Sequence, residues 1–193
     1  VLRISKPQSR AIGRALEQIG IRPSQKTRKV GDYKLDKLIY QCPKDTYQDW
    51  EASHTSLSNI KKRVRIYNVP LTESRETRSQ INKAAEREFK LLNQLHHEGI
   101  LHAENYTQHS RGPALVYPYD RNSLRLDLYL RQYAAAMGVD IRLSLIRQLA
   151  EAVKFAHGKG VIHRALSPQS ILVSEAETNR PRIRILNWQA GHR

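Results

Sequence analysis

The sequence predicts an α+β fold in which most strands precede most helices. Alternating apolar residues mark three short strands, and two more strands follow a long stretch that lacks glycine and proline. An apolar row then recurs every four residues, as on the buried face of a helix. Patterns in this order are typical of a sheet followed by packed helices.

The first three strands are predicted at Tyr33–Tyr40, Tyr47–His54 and Lys62–Val69, where apolar and polar residues alternate. Pro70 ends the third strand, since proline cannot donate to a sheet. The stretch Thr72–Leu95 is rich in Ala, Glu, Lys and Gln. It is therefore predicted as one long helix with a charged outer face.

Two further strands are predicted at Leu101–Gln108 and Ala114–Tyr119, with a turn between them. Asn122–Ala136 is predicted as a helix, and Asp140 as the N-cap of the next one. Small alanines flank the apolar row of that second helix, which predicts deep burial. The row consists of Ile141, Leu145, Leu149 and Val153, and a hairpin of Ser170–Ser174 and Arg182–Leu186 follows.

The composition limits the kinds of protein to which the chain can belong. With 39% hydrophobic and 26% charged residues, the chain is typical of a soluble globular domain. It has neither a membrane-spanning stretch nor a signal peptide, so we expect no membrane partner. The single cysteine, Cys42, excludes an internal disulfide and fits the cytoplasm. A first residue other than Met suggests a piece of a longer chain.

The net charge of +15 predicts an anionic or acidic partner. Basic residues are spread along the chain, which favours a docking surface over an element that reads nucleic-acid sequence. Residues 1–30 are predicted as a basic linker with a short amphipathic helix at Ser9–Ile19. This segment has too few apolar positions to form a core of its own.

One stretch carries a long, ungapped motif. It includes His157, Gly160 and the run His163-Arg164-Ala165-Leu166-Ser167-Pro168. This stretch resembles the catalytic loop of protein kinases, L-H-x-x-G-x-x-H-R-D-L-K-P-x-N-I-L-V. The resemblance implies a five-stranded antiparallel small lobe with one long helix over residues 31–119. Residues 120–193 would then form the first, mostly helical part of the large lobe, ending just after the position of the D-F-G motif.

The resemblance also implies that catalytic residues are replaced. Ala165 stands where the family has the Asp that acts on the substrate hydroxyl. Losing such a base lowers the rate by a factor of about 10²–10⁴. The Lys two residues later is Ser167. The two magnesium ligands of the family are also replaced. Ser170 stands at the position of the Asn, and Asn187 stands at the position of the Asp of D-F-G. Asn187 lacks the negative charge that a hard cation prefers.

The predicted small lobe departs from the family as well. The loop that should cover phosphates, residues 40–47, has no glycine. Tyr67 stands where the third strand should carry the phosphate-binding Lys, or Ile66 or Arg65 does if the register differs. Glu88 falls at the helix Glu that pairs with this Lys, so it has lost its partner, and we expect it to be solvated or paired with an arginine.

His163, Arg164 and Pro168 are identical to the residues of the kinase catalytic-loop motif at their positions. His163 is predicted to pack under Trp188, and Arg164 to lie against backbone, with anion binding as the alternative. No metal site is predicted, and cofactor-binding residues are not identified. Three histidines near the end of the long helix favour solvated surface over a metal site, because no acidic companion has the right spacing. They are His96, His97 and His102.

A closer resemblance rests on short segments, among them Val30-Gly31-Asp32-Tyr33, Tyr47–His54 and Asn187-Trp188-Gln189-Ala190-Gly191. They resemble the degenerate kinase domain of PglW-type proteins, large bacterial phage-defence proteins of BREX-like systems that join a nuclease-related (NERD) domain to kinase-like domains. This resemblance implies that the partners are other domains of the same chain or other defence proteins.

The leading hypothesis is a catalytically degenerate kinase-like module, a pseudokinase, that regulates or scaffolds its neighbours and needs no cofactor. The first alternative is an atypical ATP-binding serine/threonine kinase or other phosphotransferase, with magnesium held by Asp120, Asp127 or Asn187. The second is a basic module that docks on nucleic acid through residues 1–30 and the Lys61–Arg65 strand.

Overall fold

The computed structural model describes residues 28–57, 59–70 and 73–188, so the helix predicted at Ser9–Ile19 lies outside the described residues. The strands are β1 Lys29–Val30, β2 Tyr33–Gln41, β3 Tyr47–His54, β4 Lys61–Tyr67, β5 Asn105–His109, β6 Gly112–Pro118, β7 Leu124–Arg125, β8 Ile171–Ser174 and β9 Arg182–Ile185. The helices are α1 Arg75–Leu92, α2 Leu126–Tyr133 and α3 Val139–Gly158. No helix in these ranges is long and apolar enough to cross a membrane.

The first sheet has six antiparallel strands in the order β1-β2-β3-β4-β6-β5, so the prediction of five was wrong. The additional strand, β1, pairs Val30 with Tyr33. A Cβ at Gly31 would lie only 3.3 Å from Thr107 Oγ1 on β5, so the sheet curls until its two edges approach each other. A strand of two residues carries no alternation, which is why the sequence did not predict it.

Curling buries both faces of the central strand β4. Val64 and Ile66 point into the curl, as their alternation predicted. The residues between and beside them point to the opposite face, which packs against α1 and the second half of the chain. The core inside the curl consists of Val30, Leu35, Ala52, Val64, Ile66, Ala114 and Val116.

Helix α1 is shorter than predicted because capping decides where it begins. The Ser74 hydroxyl accepts a hydrogen bond from the Thr77 backbone N–H at 3.1 Å, which satisfies one free donor of the first turn. The helix ends at Leu92. Its buried residues lie three and four positions apart, so they form one stripe along the helix. They are Ala85, Glu88 and Leu92.

The second sheet has three strands, β7-β8-β9, rather than the predicted hairpin of two. Leu124 pairs with Val173, so the prediction of one helix over Asn122–Ala136 was wrong at its start. That pairing joins residues far apart in sequence, and local patterns cannot reveal it. Gly138, not Asp140, is the N-cap of α3, and Asp140 lies in its first turn, where a carboxylate still favours the helix dipole.

Backbone hydrogen bonds connect the two halves of the chain. The Leu101 N–H donates to the Ile185 carbonyl at 2.8 Å, and the Ile185 N–H donates to the Gly99 carbonyl at 2.8 Å. The loop after α1 is thereby held against β9. Trp188, three residues beyond β9, is only 1% exposed. The segment after β9 therefore reaches the buried face of the first sheet.

The start of β6 requires glycine. Gly112 has φ +148°, and a Cβ there would lie 2.2 Å from the Tyr67 carbonyl oxygen. We expect Gly112→Ala to lower the free energy of unfolding by about 2 kcal/mol or more, measured by urea denaturation. Gly158→Ala is the matched control, because nothing lies within 4 Å of its added methyl group and Gly158 ends a helix. Equal losses in both variants would contradict the steric explanation.

Candidate functional site

Strands β3 and β4 present a set of charged and aromatic side chains on one face of the sheet. Asp49 lies opposite Arg65, and Glu51 lies opposite Arg63. Every second residue of a strand shares a face, so these four side chains point the same way. This face is covered by α1 and the second half of the chain. Its six members are Tyr47, Asp49, Glu51, Arg63, Arg65 and Tyr67.

Asp49 is the anion at the centre of this face and is 1% exposed. Its Oδ1 accepts from Arg65 Nε at 2.7 Å, and its Oδ2 accepts from Arg65 Nη2 at 2.9 Å. Arg63 Nη2 lies 3.0 Å from the same Oδ2. Burial alone would raise the pKa of Asp49, but the two guanidinium groups hold it below its usual range. Asp49 is therefore a stable buried anion.

Arg65 joins the first sheet to the segment after β9. It is 1% exposed, and its Nη1 donates to Asn187 Oδ1. Asn187 has φ +67°, a left-handed conformation that Asn adopts more readily than most residues. The guanidinium carbon of Arg65 also lies 4.1 Å from the centre of the Tyr47 ring. Each of the three guanidinium nitrogens of Arg65 thus donates one hydrogen bond to the protein.

Tyr67 and Glu88 meet in the interior, so the expectation that Glu88 is solvated or paired with an arginine was wrong. The Tyr67 hydroxyl donates to Glu88 Oε2, and the Trp188 backbone N–H lies near the same carboxyl group. Burial raises the pKa of Glu88, which is 2% exposed. The hydrogen bonds of Arg65, by contrast, go to Asp49 and Asn187. A neutral phenol therefore takes the place beside Glu88 that a lysine has in active kinases.

The residues of the catalytic loop offer no free group that could replace the missing catalytic ones. Ala165 is exposed and offers only its backbone N–H, which donates to His163 Nδ1 at 3.3 Å. The Ser170 hydroxyl accepts from the Ser167 N–H at 2.9 Å and donates to the Ser167 carbonyl at 2.8 Å. These bonds close a 3-10 turn that begins at Pro168. Ser170 is 1% exposed, so its oxygen is not available to a cation in solution.

His163 packs edge-on against Trp188, with ring centres 4.6 Å apart, as predicted. Its Nε2 donates to the Leu186 carbonyl at 2.8 Å. Burial lowers the pKa of His163. Arg164 is exposed with φ +62°, and its side chain donates no hydrogen bond to the backbone of the described residues. His163 is therefore a packing residue, while the guanidinium of Arg164 faces solvent.

The acids considered as substitute metal ligands have other partners. Asp127 accepts two hydrogen bonds from Arg125, at 2.9 and 2.7 Å. Asp120 Oδ1 accepts the Asn122 backbone N–H at 2.9 Å. Arg125 also lies over the Tyr40 ring, 4.5 Å from its centre, so it bridges the end of β2 and the start of α2. Neither acid joins the cluster around Asp49.

The histidines after α1 are engaged in ring contacts. The rings of His96 and His102 are 4.8 Å apart, and His97 packs against Phe155 with a centre distance of 5.0 Å. Over residues 28–57, 59–70 and 73–188, no three His, Cys, Asp or Glu side chains form a group that could hold a metal ion.

Sequence reasoning missed the residues that fill the site. It considered Arg65 only as an alternative register, and Asp49, Arg63 and Tyr47 were not singled out. A signal exists in hindsight, since acids alternate at 49 and 51 in β3 while arginines alternate at 63 and 65 in β4. Reading it as a buried ion pair requires the register of the two strands, which only the folded sheet supplies.

Comparison with known proteins agrees with this architecture. The family of protein tyrosine and serine/threonine kinases matches residues 27–185. The probable kinase PglW of Streptomyces coelicolor is 34% identical over 202 residues, covering 97% of the chain and 13% of that protein. The chain therefore spans about an eighth of that relative's length.

More distant relatives match about half of the chain. The human serine/threonine-protein kinase ULK1 is 34% identical over 107 residues, which is 53% of the chain and 10% of that protein. The human cyclin-dependent kinase-like 2 is 28% identical over 96 residues, which is 50% of the chain and 19% of that protein.

The Asp49 cluster makes a specific prediction about stability. Asp49→Asn removes the carboxylate to which two buried guanidinium groups are hydrogen-bonded, so we expect a loss of about 3–5 kcal/mol in the free energy of unfolding. Asp36→Asn is the matched control, because its partner Lys61 at 2.8 Å is 40% exposed and such pairs contribute less than about 1 kcal/mol. Urea denaturation near neutral pH measures both variants.

The same cluster sets the pH dependence. The pKa of Asp49 is lowered from its ordinary value of 3.8, so its stabilising effect is present above that value and is lost as the pH falls through the folded-state pKa. The difference between wild type and Asp49→Asn should therefore shrink in acid. A difference that is equal at neutral and acidic pH would contradict the assignment of Asp49 as the buried anion.

Proposed function

We propose that this chain, which belongs to the protein tyrosine and serine/threonine kinase family, is a catalytically inactive kinase-like module whose cleft is filled by its own side chains. The observation that carries this proposal is the buried pair of Asp49 and Arg65. An active kinase uses a cation of this strand to hold the phosphates of ATP. Here Tyr67 stands at that position, and Arg65, two residues earlier on the same face, is already neutralised by a carboxylate of the adjacent strand.

Three consequences of this pair oppose nucleotide binding. A phosphate group would have to displace Asp49 from a bidentate contact, which costs the desolvation of a buried charge. The anionic Asp49 would also repel phosphate oxygens. Arg65 holds Asn187 as well, so the segment that should carry a magnesium ligand is tied to the sheet. We therefore expect neither ATP nor magnesium as a cofactor.

Phosphate transfer would in addition lack its reactive groups. Ala165 cannot accept a proton, and Ser167 cannot neutralise the transferred phosphate. Ser170 and Asn187 are neutral, and each is already hydrogen-bonded within the protein. Losing all four groups together favours a retained fold without its chemistry over a repositioned active site.

An exposed apolar face of α3 supports a regulatory or scaffolding role. Val139, Leu143 and Ile146 are 69%, 58% and 63% exposed, and their spacing places them on one face of α3. Exposed apolar faces of this kind mark contacts with other protein surfaces. We propose a cytoplasmic module within a larger PglW-type defence protein, with other domains of that chain or other defence proteins as partners.

Thermal unfolding with ATP and magnesium tests the empty-cleft proposal. We expect no rise in Tm at millimolar nucleotide, because only a ligand that binds the native state stabilises it. The kinase domain of ULK1 serves as the positive control, and transfer of labelled phosphate to a generic substrate is measured in parallel.

A concentration-dependent rise in Tm would overturn the empty-cleft proposal and support an atypical ATP-binding kinase. In that case Asn187→Ala and Asp127→Asn, compared with wild type, would show which residue holds the metal. Phosphate transfer by the wild-type chain would overturn the inactive assignment itself.

Docking on nucleic acid is the second candidate. The Lys61–Arg65 strand does not offer the predicted docking surface, because Arg63 and Arg65 are buried and bound to Asp49. The net charge of +15 and the exposed Lys83 and Arg87, one turn apart on α1, favour this function instead. We expect any DNA mobility shift to weaken at least tenfold between low and physiological salt, since phosphate contacts release counterions. The Lys83→Gln/Arg87→Gln double variant should bind more weakly than the Lys34→Gln/Lys37→Gln control on β2. Binding that is insensitive to salt and to both variants would exclude this function.

A further inference from the structure

Arg125 occupies a helix position that does not suit an arginine. It is the N-cap of α2, with φ −66° and ψ 146°, and its side chain makes no capping hydrogen bond. N-caps favour short side chains that accept hydrogen bonds, and the positive end of the helix dipole disfavours a cation. Capping therefore gives no reason for an arginine here, and its role must come from its other contacts.

The guanidinium group of Arg125 is held by Asp127 and lies on an aromatic ring of the first sheet. Asp127 accepts from Arg125 Nε at 2.9 Å and from Nη2 at 2.7 Å, and the two side chains are only 20% and 13% exposed. Two parallel bonds of this kind fix the plane of the group. The guanidinium carbon lies 4.5 Å from the centre of the Tyr40 ring, near the end of β2. Asp127 thus positions a cation against the first sheet.

Tyr40 connects Arg125 to the side chains that fill the interior. The ring centres of Tyr40 and Tyr47 are 5.8 Å apart, and the guanidinium carbon of Arg65 lies 4.1 Å from the centre of the Tyr47 ring. The contact between Arg125 and Tyr40 is therefore the outer end of a continuous stack. Its inner end is the buried pair of Arg65 and Asp49.

This contact lies across the opening between the two halves of the chain. Tyr40 begins the loop of residues 40–47, which corresponds to the loop that covers phosphates in kinases, whereas Arg125 lies at the start of α2. We call the space between this loop and the start of α2 the mouth of the cleft. In the described part of the chain, no backbone hydrogen bond joins residues 40–47 to α2. Side chains therefore determine whether the mouth is open.

We propose that Arg125 is a clasp that holds the mouth of the cleft closed through its contact with Tyr40, with Asp127 as the positioning residue. Because Asp127 belongs to α2, the guanidinium group stays with α2 when Tyr40 moves away, and the contact is lost as a unit. The clasp concerns the same cleft as the proposed function and rests on it. A mouth that is closed by the protein's own side chains needs no nucleotide to close it.

Cys42 is a reporter of the mouth. It is the single cysteine of the chain, lies two residues beyond Tyr40, and is half-buried against the larger hydrophobic core. The Thr46 hydroxyl donates to its Sγ at 3.4 Å. Opening of the mouth should expose this thiol further, so the rate of its alkylation by iodoacetamide follows the open fraction. Because the reagent is neutral, the charge of the protein does not affect its approach.

Arg125→Ala tests the clasp directly. We expect Cys42 to react about three- to tenfold faster than in the wild type, because the closed state loses a partly buried cation–π contact. Arg131→Ala is the matched control, since it removes the same charge from an exposed position in the last turn of the same helix. An unchanged rate in Arg125→Ala, or an equal increase in Arg131→Ala, would overturn the proposal.

The Tyr40→Leu background separates the clasp from any other role of Arg125. Leucine keeps an apolar side chain but removes the ring. In this background Arg125→Ala should add no further increase, because the two side chains form one contact. A further increase of the same size would show that Arg125 acts through another partner, and the clasp would be rejected.

The wild type gives a readout that needs no variant. Opening of the mouth exposes little surface, so the alkylation rate should rise only slightly with urea below the unfolding transition. A urea dependence as steep as that of global unfolding would show that Cys42 is reached only by unfolding, which would overturn the clasp. None of these readouts involves ATP, so failure of the clasp is distinguished from failure of the empty-cleft proposal, which the Tm with ATP decides.

Discussion

The ion pair between Asp49 and Arg65 is the constraint on which the rest of the structure depends. Both side chains are 1% exposed, so neither charge can be relieved by water. Each must therefore remain opposite the other, which restricts the register of β3 against β4. The guanidinium group of Arg65 also donates a hydrogen bond to Asn187, and this bond restricts where the segment after β9 can lie. One buried charge thus links two strands and the second half of the chain.

This arrangement separates the kinase fold from kinase chemistry. The helix glutamate, the loop histidine and the aromatic residue after β9 keep their packing positions, since Glu88 meets Trp188 and His163 packs on the same ring. The residues that would handle phosphate have become a neutral phenol and a neutralised arginine. Packing positions tolerate this change because they require shape and hydrogen bonds, whereas phosphate transfer requires free charge.

Much of the fold was predictable, and the errors have physical causes. The strands β2, β3 and β4 and the helix α3 were anticipated because their periodicity is local. The two-residue strands β1 and β7 were not, because each is held only by a partner strand. Among site residues, the positions of Tyr67 and Glu88 followed from the resemblance, but their hydrogen bond did not. The role of Asp49 was not predicted either, since an isolated acid in a strand normally indicates an exposed position.

The sequence by itself determined the α+β order of elements, the kinase resemblance and the replacement of the catalytic residues, because these are properties of residue identity and spacing. Tertiary structure alone decided that the sheet curls over a second core, that Asp49 neutralises Arg65, and that Glu88 is buried against Tyr67. The reason is that burial and charge pairing depend on which side chains face each other across strands. That geometry is absent from any local pattern until the register of the sheet is formed.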